Sequence, residues 1–167
     1  MAKETGMNIR FGNRTEETVR IYFEASRDPA IKDVLPQKAQ SVEEAIDDYR
    51  KALLPGATSY GRTILADGEY IGDIWCYCID PNDEPNAMLS YCVFEKSLWN
   101  RGIATAAVGL FLKEIFEKFS LSSVGAFTYS NNTASVRVLE KNGFRLIEEF
   151  TEDGRESKYF QYDGHLN

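Results

Sequence analysis

The stretch "SLWNRGIATAAVGLF", Ser97 to Phe111, carries a polar turn, Trp99-Asn100-Arg101, through Gly102 into Ile103, Ala104 and Thr105. The helix it opens starts with small residues, so something else can come close to its backbone. The first amides of a helix have no intrahelical partner and carry the positive end of its macrodipole. Such a start is a ready site for phosphate. Gly102 removes the side chain where an anion must approach, Ala104 and Thr105 keep the next turn low, and Arg101 adds a cation. The same small residues also suit a helix start buried against a sheet, and the stretch by itself leaves both readings open.

Two better-known phosphate patterns are not met. The glycine fingerprint G-x-G-x-x-G is absent from the sequence. "GATSYGRT", Gly56 to Thr63, imitates a P-loop but has Arg62 where lysine is required, and it follows Pro55 rather than a strand. It reads as a loop entering a strand.

Outward from the opening stretch, the periodicity alternates between helix and strand. "MNIRFG" reads as a first strand and "TEETVRIYFEASRD" as a helix capped by Thr15. The segment around Pro29 and Pro36 reads as a connector. "SVEEAIDDYRKALL" is a second helix, with Ser41 and Glu44 forming a capping box and Pro55-Gly56 ending it. A hairpin turning at Asp67-Gly68 joins "SYGRTILA" to "YIGDIWCYCID", and "AMLSYCVFE" is a further strand ending near Glu95. The helix from about Gly102 to Phe119 precedes the strand "LSSVGAFTYS" and the helix "NNTASVRVLEKNGF", closed by Gly143. "RLIEEFT" and "SKYFQYDG" form a last hairpin. No repeat or linker interrupts the order, so residues 1–167 read as one mixed α/β domain.

Composition narrows the function. With 43% hydrophobic and 27% charged residues, the chain is ordinary for a soluble globular protein. A formal net charge of -7 leaves no basic stripe for nucleic acid and tilts toward a cationic partner. No apolar run is long enough to span a bilayer, and the N-terminus lacks a signal-peptide pattern, so a cytoplasmic location is expected, with no membrane partner. The cysteines, Cys76, Cys78 and Cys92, are odd in number and read as reduced thiols. Cys76 and Cys78 fall on one face of a strand, which reads as apolar packing, and no metal-ligand spacing is present. The single histidine, His165, lies two residues from the C-terminus, so imidazole-based triads are not expected.

"SNNTASVRVLEKNGF" resembles the pattern N-x-x-S-x-x-V-L-E-K-x-G-F of the GNAT acetyltransferase superfamily, and more narrowly its RimJ/RimL-type branch. The family's pyrophosphate pattern, Q/R-x-x-G-x-G/A, reads Trp99-Asn100-Arg101-Gly102-Ile103-Ala104 here, with Trp in its first place. The order of elements matches along nearly the whole chain. The resemblance implies a GNAT fold: a central, mostly antiparallel twisted sheet of about seven strands flanked by about four helices. It implies acetyl-CoA as cosubstrate, no metal, and a primary amine as acceptor, with a homodimer in keeping. Backbone groups of Val93 and Phe94 would hold the pantetheine arm. The amides of Asn100, Arg101, Gly102, Ile103, Ala104 and Thr105 would hold the pyrophosphate, and Asn132 would contact the pantetheine side. Asn132 is also an obvious helix N-cap.

Acetyl transfer needs a deprotonated amine, although a lysine-like amine has a pKa near 10.4. It also needs a stabilised carbonyl oxygen and a proton for the departing thiolate. Many GNAT members place a tyrosine where Leu139 stands; in the RimJ/RimL-type branch a serine at the position of Ser135 is the implied substitute. Met88 occupies a place where that branch often has glutamate. Tyr91, Asp73 and Glu69 are the remaining base candidates, with Tyr91 equally suited to lining an acceptor pocket together with Tyr22, Tyr60 and Trp75. Cys92 reads as core rather than nucleophile. Leu139 and Met88 keep a second function class open, an acyl-CoA-binding module without transfer. An unrelated nucleotide-dependent enzyme is a third.

Overall fold

The computed structural model describes residues 6–164, so the tail that holds His165 lies outside the described residues. Strand β1 (Ile9–Asn13) is followed by helices α1 (Glu16–Ala25), α2 (Pro29–Val34) and α3 (Val42–Ala52). Strands β2 (Tyr60–Ala66), β3 (Glu69–Asp80) and β4 (Asn86–Val93) lead through a short 3-10 turn at Lys96–Leu98 into helix α4 (Ile103–Phe119). Strand β5 (Ser123–Tyr129), helix α5 (Thr133–Lys141) and the hairpin β6 (Arg145–Glu152) and β7 (Arg155–Asp163) complete the fold. One seven-stranded sheet runs in the order β1-β2-β3-β4-β5-β7-β6. Every neighbouring pair is antiparallel except β4 and β5.

Local chemistry explains most of these boundaries. Thr15 and Thr18 satisfy each other's amides at the start of α1. At α3, Ser41 accepts from the Glu44 amide at 3.1 Å, but the Glu44 carboxylate reaches back to the amide of Gln40 rather than of Ser41. The expected capping box is thus displaced by one residue on its return side. Asp67 and Gly68 both take positive φ, 50° and 84°, which the β2–β3 hairpin turn requires.

Two expectations give way. The segment around Pro29 is a helix, α2, so five α-helices flank the described sheet rather than four. Pro29 stands at its start, where a missing N–H costs nothing, and Asp28 caps it by accepting from Ala30 at 2.9 Å. Cys76 and Cys78 do not share an environment. Cys76 is buried while Cys78 is exposed, because a bulge near the end of β3 gives Cys78 a φ of 51° and breaks the alternation.

The sheet has an apolar layer on each face. On one side Ile103, Ala106, Ala107, Val108, Phe111, Leu112 and Ile115 of α4 join Ile64, Ile74, Leu89, Val124 and Phe160 in the main core. At roughly 1.5–3 kcal/mol for each large side chain taken from water, this layer dominates stability. On the other side Val19, Phe23, Ile31 and Ile46, from α1, α2 and α3, are buried but stand outside that core.

Candidate functional site

The parallel pairing of β4 with β5 covers just three rungs, from Asn86 and Ser123 to Met88 and Gly125. Beyond them β4 continues to Val93 and β5 to Tyr129, and the strands part into a V. The apex is tightly filled: a Cβ on Gly125 would sit 2.5 Å from the Tyr159 hydroxyl and 2.9 Å from the Met88 sulfur. A side chain at position 125 would have to push the Tyr159 ring and the Met88 thioether aside where the strands diverge.

Beyond the apex, one edge of β4 has no strand beside it. The Phe94 amide donates to the Ile71 carbonyl at 2.9 Å, so Phe94 turns its N–H toward β3 and away from the opening. Main-chain groups alternate sides along an antiparallel strand, which turns those of Val93 and Tyr91 toward the V. The Val93 carbonyl accepts from the Trp99 indole at 2.7 Å. Trp99, in the place of the family's Gln or Arg, thereby ties the turn before α4 to the strand it follows.

The start of α4 borders the same opening. Gly102 has φ 80° and Asn100 φ 62°, so the chain enters the helix through two left-handed residues. The first intrahelical bond runs from Ala106 to the Gly102 carbonyl at 3.0 Å. No side chain caps α4, whereas Thr15, Asp28, Ser41 and Asn132 cap the other four described helices. The amides at its beginning are left without intrahelical acceptors. Ile103 and Thr105 bury their side chains, at 2% and 6% exposure, so these two face any ligand with backbone only.

Helix α5 closes the third side. Asn132 accepts from the Ser135 amide at 3.2 Å and caps it. This bond orients the first turn so that the Ser135 hydroxyl lies 2.9 Å from the Tyr91 hydroxyl. The two residues named separately as catalytic candidates are one hydrogen-bonded pair, 44 positions apart in sequence. Burial pushes the Tyr91 phenol up to about 12, against a smaller opposing pull from Ser135. Replacing Asn132 with Ala is expected to cost about 1 kcal/mol in chemical denaturation, and to loosen the Tyr91–Ser135 contact with it. An unchanged unfolding midpoint would remove the capping role.

These elements enclose a cavity of about 440 Å³ that includes Tyr91, Val93, Asn100 to Thr105, Asn132 and Ser135. That volume falls in the usual range for small-molecule sites, roughly 300–1,000 Å³. Of the residues expected to hold the cofactor, only Phe94 is outside its lining. Arg101, Arg137 and Lys141 supply its formal charge. Arg137 and Lys141 were not singled out from sequence, although their i, i+4 spacing on α5 places them on one helix face.

Other expectations are redirected. Asp73 is completely buried at the edge of the α1 layer, 3.2 Å from Arg14 and accepting from Tyr70 at 2.6 Å. Burial raises its carboxyl above the usual range, while Arg14 and Tyr70 pull it back. It does not line the cavity, and neither does Glu69, which is exposed beside the hairpin turn. Burial pushes the Cys92 thiol up to about 11, which removes it as a nucleophile. Tyr22, Tyr60 and Trp75 line a separate, smaller cavity of about 210 Å³ under α1 and α3, and Tyr91 alone of the four aromatic candidates belongs to the V. Arg62, in the segment that imitates a P-loop, bonds the Gly12 carbonyl at 3.1 Å and pairs with Glu114, which makes it part of the sheet edge.

A family model described as an acetyltransferase (GNAT) domain matches residues 12–145. No curated protein sequence matches the chain. Among solved structures of similar fold is spermidine N-acetyltransferase from Vibrio cholerae in complex with CoA and spermine, 16% identical, with a TM-score of 0.82 over 96% of this chain and 98% of that one. RimJ from Mycobacterium smegmatis, in complex with CoA-disulfide, is 19% identical with a TM-score of 0.81, over 95% of this chain and 83% of that one. The aminoglycoside acetyltransferase AAC(6')-Ib, in complex with coenzyme A and kanamycin, is 15% identical with a TM-score of 0.79, over 95% and 96%. At these identities the likeness is one of fold, and it agrees with the independent match of the sequence to the family. The chain belongs to the GNAT acetyltransferase family.

Proposed function

We propose that residues 1–167 form one acetyltransferase domain that moves an acetyl group from acetyl-CoA directly to a primary amine. One observation carries this reading: the V between β4 and β5 gathers an unpaired strand edge, an uncapped helix start and a hydroxyl pair around one cavity. The residues fit the cosubstrate. The amide of Val93, whose carbonyl is taken by the Trp99 indole, and the main-chain groups of Tyr91 suit an amide-bearing arm laid beside β4. The amides from Asn100 to Thr105, with Arg101, suit a pyrophosphate. Acetyl-CoA, when bound, supplies the activated acetyl group.

The protein's own part is then to position and to handle one proton. A phenol pushed up to about 12 stays protonated through the physiological range, so Tyr91 acts as a proton donor and not as the base. Through Ser135 it offers that proton to the leaving thiolate, while the attacking nitrogen sheds its surplus proton to water and Tyr91 is reprotonated from water. This arrangement answers the loss of the family tyrosine: Leu139 is core, at 1% exposure, and a phenol reaches the cavity from β4 instead. It favours the enzyme over a module that only binds acyl-CoA. No carboxylate lines the cavity among the described residues, so the amine reacts in its neutral form, deprotonated by water.

Three described cysteines carry no disulfide, in keeping with a cytoplasmic setting, and no described helix is long and apolar enough to cross a membrane. For the homodimer that the resemblance implies, Leu146 and Ile147 on edge strand β6, each 47% exposed, supply an apolar face.

The test is calorimetric titration of acetyl-CoA, followed by a thiol-release assay with a panel of amines. Saturable binding and amine-dependent thiol release are expected. An absence of acyl-CoA binding would overturn the reading, and binding without release to any amine would move the protein to the non-transferring class.

A further inference from the structure

Helix α2, unexpected from sequence, bears on the acceptor. It is six residues long, about 9 Å, and each end is tied to a different arm of the V. At its start Asp28 pairs with Lys96, just beyond β4, at 2.7 Å. At its end the Asp33 carbonyl accepts from Arg155 at 2.8 Å, and its carboxylate lies 3.6 Å from the same guanidinium. Arg155 opens β7 and stacks 3.5 Å from the ring centre of Tyr129, the last residue of β5. Helix α2 therefore spans the open end of the V from one strand to the other.

The face it turns to the cavity is apolar. Ala30, Ile31, Val34 and Leu35 line the opening, opposite Phe127 of β5. Ile31 is 2% exposed, while Val34 and Phe127 remain accessible at 37% and 55%. The two carboxylates of the strap are turned into its ion pairs. The formal charges on the described cavity wall are Arg101, Arg137 and Lys141, all positive, although the chain as a whole carries -7. A substrate bearing further ammonium groups would strip their water against an apolar wall, with no carboxylate among the described lining residues to pair with them.

Resting on the acetyl-transfer reading, we propose that the acceptor is a primary monoamine whose amino group sits next to an apolar substituent, received between α2 and Phe127. The acidic balance of the sequence, which tilts toward a cationic partner, does not extend to the described wall of this cavity. Such an amine occurs in two sources, the α-amino group of a peptide with an apolar first residue and a small arylalkyl or alkyl amine.

The experiment compares kcat/KM for a short peptide beginning with Leu, for phenethylamine and for spermidine, with acetyl-CoA binding measured separately by calorimetry. At least one apolar amine is expected to exceed spermidine by about 100-fold, the scale on which an apolar pocket discriminates; which of the two leads identifies the source. Val34→Glu, at a position 37% exposed and with its fold checked by circular dichroism, should narrow that preference about tenfold by placing a carboxylate on the wall. Spermidine used as well as or better than both apolar amines overturns the inference. So does a folded Val34→Glu variant with unchanged preference, or a protein that releases thiol with spermidine but with neither apolar amine. Failure to bind acetyl-CoA, or binding without release to any of the three amines, overturns the underlying acetyl-transfer reading instead.

Discussion

Gly102→Glu is expected to weaken acetyl-CoA binding at least about 100-fold, equivalent to ~2.7 kcal/mol. Position 102 has φ 80° and is the N-cap of α4. A side chain with Cβ is strained there by about 1–2 kcal/mol, but a carboxylate at a helix start recovers part of that through the macrodipole. The fold should survive, as circular dichroism would verify, while the new carboxylate fills the place proposed for phosphate and repels it. Gly102→Asn is the companion variant. Asn tolerates the left-handed region and brings no charge, so its loss should stay within roughly tenfold. Wild-type affinity in a folded Gly102→Glu protein would return α4 to an ordinary packing helix.

Tyr91→Phe and Ser135→Ala should each lower kcat by roughly 10²- to 10⁴-fold, the range for removing a general acid, with little change in acetyl-CoA affinity. Because the hydroxyls lie 2.9 Å apart and share one proton path, the double variant should be hardly slower than the worse single one. The pH profile carries the sign of the argument. The acceptor must lose a proton, so kcat/KM should climb with pH toward the amine's own value, near 10.4 for a lysine-like group. The Tyr91 proton is present below about 12 and lost above it, so no falling limb is expected below about pH 11. A falling limb between pH 7 and 9 that Tyr91→Phe abolishes would show a phenol far more acidic than its burial allows. Additive losses in the double variant would show that the hydroxyls act separately.

Much of the cavity's lining is legible in the sequence. Gly102 and the small residues after it identified an approachable helix start, and Asn132 and Ser135 stood at the head of a strongly patterned helix. What escaped was long-range or sterically local. Alternation shows that residues 86–93 form a strand, but not that the pairing with β5 stops after Gly125, and the cavity exists because it stops. The Tyr91–Ser135 contact joins elements 44 residues apart, beyond the reach of any periodicity. Helix α2 was obscured by its length and by Pro29, which marks a break in most settings and a helix start after a capping Asp28. Cys78 followed the two-residue rhythm on paper until the bulge removed it.

The walls of the V are made of different materials. On the proposed cofactor side the contacts come from the unpaired edge of β4 and the first amides of α4, groups that every residue but proline possesses. Substitution along these segments leaves them in place as long as the backbone path through Gly102 is kept. On the α2 side the wall consists of side chains, Ile31, Val34 and Leu35, carried on a short helix fastened by two solvent-facing ion pairs of the kind worth ~1 kcal/mol or less. One half of the cavity is therefore buffered against sequence drift while the other is exposed to it. A lineage built on this plan can exchange its acceptor by changing a handful of residues in α2 while the donor half is inherited unaltered.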